Sequence, residues 1–267
     1  MKYQTKSILF WVLSFFLMVG SAYYQRTTGP TYPERGKVEI GDETIKYKLI
    51  RTWEGETDAQ VTVEVENNNI SGKYRYKRFK SFDEWTEKPM VRKGEELVAS
   101  LPGQPAAGKV TYEIYLSNGG DYVKLEEEPL VLRYKGAVPM WVLIPHIIII
   151  FLAMMFSMRA LFEAIIKGKN IVIYAFWTVI LLAVGGMIFG PIVQKYAFDA
   201  YWTGWPFGGD LTDNKTLVSF VLWIVAYLMV RKNPKRRGWV IAAAVVLLLI
   251  YLIPHSMFGS EIDYTQQ

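Results

Sequence analysis

The chain has 267 residues, with 30 Lys and Arg against 25 Asp and Glu, 15% aromatic residues and no cysteine. Without cysteine, disulfides, thiolate nucleophiles and Cys-ligated zinc or iron–sulfur centres are excluded. The net +5 does not mark a nucleic-acid partner: residues 25–138 hold 18 basic and 19 acidic side chains, so the surplus sits in short stretches beside apolar runs.

A helix crossing a bilayer needs ~20 mostly apolar residues. The first such run is Ser7–Tyr24, preceded by Lys2 and Lys6. Residues 1–24 read as an N-terminal anchor, the run being longer than a usual signal core. Gly20-Ser21-Ala22 keeps a cleaved secretory signal open as the alternative. On either reading, the segment after Tyr24 lies outside the cytoplasm.

Residues 25–137 read as an all-β sandwich domain. Gly29-Pro30-Thr31-Tyr32-Pro33 makes a stiff exit, and period-two alternation begins beyond it. Lys37–Ile40 and Glu43–Arg51 flank a Gly41-Asp42 hairpin turn, with Ile45, Tyr47 and Leu49 on one face. Val61, Val63 and Val65 alternate with polar residues, as do Tyr74 and Tyr76. Glu96–Leu101 forms a short strand. Val110, Tyr112, Ile114 and Leu116 lead to the Asn118-Gly119-Gly120-Asp121 turn, and Tyr122–Leu125 and Leu130–Tyr134 complete the set. Glu126-Glu127-Glu128 reads as a solvated run. The segment has no His and no Cys, and its Ser and Asp residues lack a partner base, so no catalytic triad is expected. Its one basic patch is Lys73, Arg75, Lys77, Arg78 and Lys80. These side chains form either a solvated strand face or a contact for anionic lipid or an acidic partner. The stretch Ser100-Leu101-Pro102-Gly103-Gln104-Pro105-Ala106-Ala107-Gly108-Lys109-Val110-Thr111-Tyr112 resembles the late half of a fibronectin type III or immunoglobulin-like domain, where a Pro/Gly-rich crossing enters a Tyr-bearing strand. The resemblance covers under half the chain. It implies a fold and no function.

Residues 138–267 supply four more spans: Val138–Phe162, Ile171–Val193, roughly Asp213–Val230, and Trp239–Gly259. The predicted fold class is thus a helical membrane bundle of about five spans plus a β sandwich. Arg159, Lys167 and Lys169 fall between the second and third spans, and Arg231, Lys232, Lys235, Arg236 and Arg237 between the fourth and fifth. With Lys2 and Lys6 they place ten basic residues and one acid, Glu163, on one side. The other side holds Lys195 against Asp199, Asp210, Glu261 and Asp263. Basic loops stay in the cytoplasm, which puts the N-terminus inside and the β domain, the 194–212 loop and the C-terminus outside, in a bacterial-type inner membrane. Gly185-Gly186 and Gly190 are expected to permit close helix packing.

Leu-Ile-Pro-His occurs twice, ending at His146 and at His255. At 1.5 Å per residue both imidazoles fall in the outer leaflet at similar depth. Facing one another, they would supply both axial ligands of a b-type haem in an electron-transfer subunit; otherwise they are structural histidines. Each proline is expected to kink its helix, freeing the carbonyls of Trp141 and Ile250. Six of the residues 194–215 are aromatic. This loop reads as an interfacial segment or as a site for a lipid-like ligand, through Tyr201, Trp202, Trp205, Phe207, Asp210 and Asp213, with Thr212 or Asp213 capping the next helix. Transport is a third reading. It is weakened because charge in the spans is confined to their ends, whereas ion-coupled transport uses ionisable groups near the midplane.

With the aromatic loop 201–216 and the ending His255–Tyr264, the chain resembles uncharacterised multi-pass envelope proteins of bacteria. The expected role is non-enzymatic: presenting the β domain to another envelope or membrane protein, with the lipid bilayer as the other partner and no nucleic acid.

Overall fold

The computed structural model describes residues 3–254, 257, 259 and 261–266. The chain divides into a helical unit of Met1–Pro30, Val138–Tyr196 and Ala200–Gly259, and a β unit of Thr31–Ala137, Ala197–Asp199 and Ser260–Gln267.

In the β unit eleven strands occur in chain order: β1 (Glu34–Ile40), β2 (Glu43–Leu49), β3 (Thr52–Glu54), β4 (Ala59–Glu64), β5 (Ser71–Arg78), β6 (Thr86–Pro89), β7 (Val91–Lys93), β8 (Glu96–Leu101), β9 (Lys109–Ser117), β10 (Val123–Lys124) and β11 (Leu130–Lys135). They form a β1-β2 hairpin, a six-stranded sheet ordered β3-β11-β9-β5-β6 with β10 also on β9, and a three-stranded sheet ordered β4-β8-β7. The hairpin turn lies where Gly41-Asp42 places it. Ile40 pairs with Glu43, and Gly41 adopts φ +63°, a conformation open to glycine at little cost. The period-two sets become one core: Ile45, Leu49, Val61, Val63, Val65, Tyr74, Val110, Tyr112, Ile114, Leu116, Leu132 and Tyr134 are buried together. The short strands β3, β6 and β7 carry too little alternation to be read in sequence. The parallel pairing of β3 with β11 (Arg133 opposite Thr52) has no local signature at all.

The helical unit contains α1 (Tyr3–Thr27), α2 (Met140–Ile165), α3 (Ile171–Leu181), α4 (Gly190–Phe198), α5 (Leu211–Lys232) and α6 (Gly238–Leu252). Eight residues of π-helix, Leu182–Phe189, join α3 to α4, so Ile171–Phe198 runs as one 28-residue rod. Among the described residues four helices are long and apolar enough to cross a membrane: Gln4–Thr27, Met140–Ile165, Ile171–Phe198 and Leu211–Lys232. The fifth is shorter than the expected Trp239–Gly259. It has 15 residues, ~22 Å of rise, and ends at Leu252 two residues before Pro254. A proline disfavours helical backbone in the residue before it, so this one ends the helix where a kink was expected. The Ile250 carbonyl is not freed, since it accepts the Ile253 N–H at 3.2 Å.

The core of this unit is rich in small residues. Ala153, Ala160, Ala226, Ala243 and Ala244 are buried with Met154, Met158 and Trp223, and small residues let helix backbones approach closely. The expected close packing at the glycine pair is present: a Cβ on Gly185 would meet Ile149 at 2.9 Å, and one on Gly186 would meet Thr216 at 2.9 Å. Helix α1 turns Ser14, Met18 and Ser21 inward, spaced so that they share one helical face. Outside this core the helices carry exposed Ile8, Phe16, Ile148, Ile173, Val221 and Leu249.

Candidate functional site

The aromatic loop is built from buried carboxylates upward. Asp210 is the N-cap of α5, its carboxylate accepting the N–H groups of Thr212 (2.8 Å) and Asp213 (3.4 Å). The cap is therefore neither Thr212 nor Asp213, the second and third residues of the helix, which instead supply the N–H groups that Asp210 accepts. Asp213 is 7% exposed and folds away from its helix, accepting the main-chain N–H of Thr203 (2.7 Å) and of Gly204 (3.0 Å). Asn214 takes the Trp205 N–H at 2.6 Å, and Gln194 donates to the Thr203 hydroxyl at 2.7 Å. This framework fixes the backbone of 203–205 and leaves its largest side chains outside. Trp205 is 69% exposed, Phe207 82% and Tyr201 60%, while Trp202 is half-buried. Of the six loop residues read from sequence, Asp210 and Asp213 are thus the supports and the aromatic residues form the surface. Asp213→Ala strands two main-chain donors, each worth ~1–3 kcal/mol. It is expected to lower the unfolding midpoint of the detergent-solubilised chain and to deprotect the Thr203 and Gly204 amides in hydrogen exchange. Unchanged exchange at both amides would disprove the supporting role.

His146 lies on α2 beside the π segment, where its Nδ1 is 2.9 Å from the Gly185 carbonyl oxygen. A carbonyl only accepts, so Nδ1 carries the proton and Nε2 is the basic nitrogen. His255, the partner in the two-imidazole haem reading, lies outside the described residues. Among the described residues no cluster of three His, Asp or Glu suits a metal ion.

Among the described residues of the helical unit, the buried charges Arg159, Glu163, Asp210, Asp213 and Lys215 lie within about two turns of a helix end. Arg159 is a helix residue rather than a loop charge. It is fully buried, its Nη1 2.8 Å from Glu163 Oε2, its Nη2 3.2 Å from Ser7 Oγ and its guanidinium 4.5 Å from the Tyr174 ring centroid. Glu163 also accepts the Asn170 N–H at 3.0 Å, closing the α2–α3 turn. The positive balance of that connection therefore rests on Lys167 and Lys169. Lys215, 6% exposed, donates to the Ile253 carbonyl (2.9 Å) at the end of α6, which Gln25 also reaches (3.2 Å). A cation there suits the negative end of a helix dipole.

In the β unit the basic strip on β5 is shared with acids of the same unit. Lys73 bridges Glu87 at 3.1 Å, Arg75 pairs with Glu113, and Arg78 grips Asp83 through two bonds of 2.8 Å. Lys80 pairs with Glu261, and Lys77 stands 5.3 Å from the Trp85 ring centroid. Burial raises the Glu113 carboxyl, but bonds from Arg75, Lys124 and Tyr115 outweigh it and hold it at about 2. The acidic run is not solvated throughout. Glu126 is 7% exposed, with Oε1 accepting the Ile114 N–H at 3.2 Å. Burial pushes this carboxyl up to about 7, offset in part by that bond and by Lys124. Within residues 261–266, which sequence reasoning placed on the outer side and gave no site, Glu261 lies against Lys80 and Lys109 and Tyr264 against Arg78. The only available signal was the acidic-aromatic Glu-Ile-Asp-Tyr itself.

Comparison of the chain with protein-family models, with curated proteins and with solved structures found no match.

Proposed function

We propose that the chain is a multi-pass protein of a bacterial-type inner membrane, holding its β unit outside the cytoplasm as a recognition module for another envelope or membrane protein, without catalysis of its own. The observation that carries this reading is the alternation of charge with apolar helices. Lys167 and Lys169 come after one span, and Arg231, Lys232, Lys235, Arg236 and Arg237 after another. The segments between these basic stretches carry acids and exposed aromatic residues. The apolar side chains exposed on several helices suit a lipid environment, since contiguous surfaces of this kind are rare on water-facing proteins. The hydrogen bonds of Ser7 and Gln25 in α1 favour an anchor retained in the bundle. The exposed Tyr201, Trp205 and Phe207 suit the head-group level.

The absence of cysteine makes the test clean. Single Lys46→Cys and Lys235→Cys variants in whole cells are treated with a membrane-impermeant maleimide. Labelling at position 46 alone is the expected result. Labelling at both positions, or at position 235 alone, sinks the orientation.

A further inference from the structure

Residues 261–266 lie on the β unit as a ligand lies on a receptor. Main-chain bonds run from Tyr264 N–H to the Lys80 carbonyl (2.9 Å) and from Ile262 N–H to the Ala107 carbonyl (3.4 Å). The Glu261 carboxylate bridges the ammonium groups of Lys80 and Lys109. The Tyr264 ring centroid lies 4.5 Å from the Arg78 guanidinium carbon, and its hydroxyl donates to Gln104 Oε1 at 2.9 Å. The groove is built without this segment. Phe79 N–H donates to the Lys109 carbonyl (2.9 Å), Tyr134 N–H to Gly108 (2.9 Å) and Ala107 N–H to Tyr134 (3.1 Å), so its walls are turns tied to strands β9 and β11 of the six-stranded sheet.

A second observation points the same way. The two carbonyls that receive the segment belong to residues in left-handed backbone, Lys80 at φ +48° and Ala107 at φ +69°. Among the described residues only four non-glycines do this, and two of them are these acceptors. Such a conformation is disfavoured for side chains larger than glycine, and strain of this kind gathers where a surface is shaped for recognition.

We propose that this groove is a recognition site for an extended acidic segment of a partner protein, carrying a carboxylate three residues before an aromatic ring, and that residues 261–266 occupy it in cis as an intramolecular competitor. The proposal deepens the reading of the β unit as a recognition module and rests on it. At an effective concentration of ~1 mM for a segment of the same chain, one that binds in trans at ~100 μM holds its own site closed about ten to one.

The test uses a fluorescent peptide of residues 260–267 and the full chain in detergent. The expected result is that the peptide binds a Glu261→Lys/Tyr264→Ala chain about tenfold or more tightly than the unaltered chain. Adding Lys80→Glu to that chain abolishes binding. A peptide carrying the two tail substitutions fails to bind, a control that leaves receptor folding untouched. Equal binding to both chains, no binding to the altered chain, or binding by the altered peptide overturns the proposal. Peptide binding together with maleimide labelling at position 235 would keep the groove and sink the orientation. Labelling at position 46 alone without peptide binding would do the reverse.

Discussion

Glu163→Ala is expected to lose ~3–5 kcal/mol of stability, the cost of leaving the Arg159 guanidinium buried without its counter-charge. Both side chains are fully buried, and Arg159 already has its Nε without a partner among the described residues, so it has no spare capacity to rearrange. The Tyr174, Trp11 and Phe10 rings around it, at 4.5, 5.7 and 5.8 Å, offer only partial compensation. The variant also removes the acceptor for the Asn170 N–H, loosening the turn into α3. A paired replacement behaves differently. Arg159→Met with Glu163→Gln removes both charges, keeps an acceptor for Asn170 and is expected to lie within about 2 kcal/mol of the unaltered chain. Thermal unfolding in detergent measures both. A loss below about 1 kcal/mol for Glu163→Ala would mean that water reaches the guanidinium.

Glu126→Gln is expected to stabilise the β unit above pH 7 by about 1–3 kcal/mol and to have no such effect below about pH 4.5. The sign is set by the direction of the shift. The Glu126 carboxyl is raised from 4.5 to about 7 by burial, so between those values the folded chain holds a proton that the unfolded chain has released. Its contribution is fully present below pH 4.5 and is lost as pH rises through 7. The groups that act on it are Lys124, which favours the carboxylate, Glu113, which disfavours it, and the Tyr47, Tyr112 and Tyr115 hydroxyls, whose own ionisation its charge opposes. Glutamine keeps the oxygen that accepts the Ile114 N–H while ending the titration. The upper end of the range falls by whatever its amide loses at the position where Oε2 has no partner. Exchange of the Ile114 amide against pH is the direct readout. A parallel pH dependence in both proteins between pH 4.5 and 7 would assign the effect to another group; Asp83, whose carboxyl Arg78 holds down at about 2, is not that group, because its contribution is lost only as pH falls through that value.

Local periodicity carried most of the architecture. Val61-Val63-Val65 and Val110-Tyr112-Ile114-Leu116 lie in the core because a strand's side-chain period needs no knowledge of the rest of the chain. The first four apolar runs became helices within about five residues of their expected limits, because a long apolar run is also a local signal, whereas the fifth stops at Leu252, short of Gly259. The features that stayed hidden depend on distant partners. Asp213 looks like a helix cap until its reach to Thr203 is seen. Glu126 looks solvated until Ile114 claims it. Arg159 counts as a loop charge until Glu163 and Ser7 enclose it. Pro254 was visible throughout, but a proline near the end of an apolar run reads equally as a bend or as a stop. The 15 residues of α6 decide for a stop.

The placement of 261–266 beside Lys80 and Lys109 has a consequence for biogenesis. A ribosome completes β1–β11 before any of α2–α6 exists, at about 5–20 residues per second. The cationic cleft on the nascent chain is therefore vacant for on the order of ten seconds, until the acidic stretch emerges to shut it. A client engaged within that interval would meet no competitor.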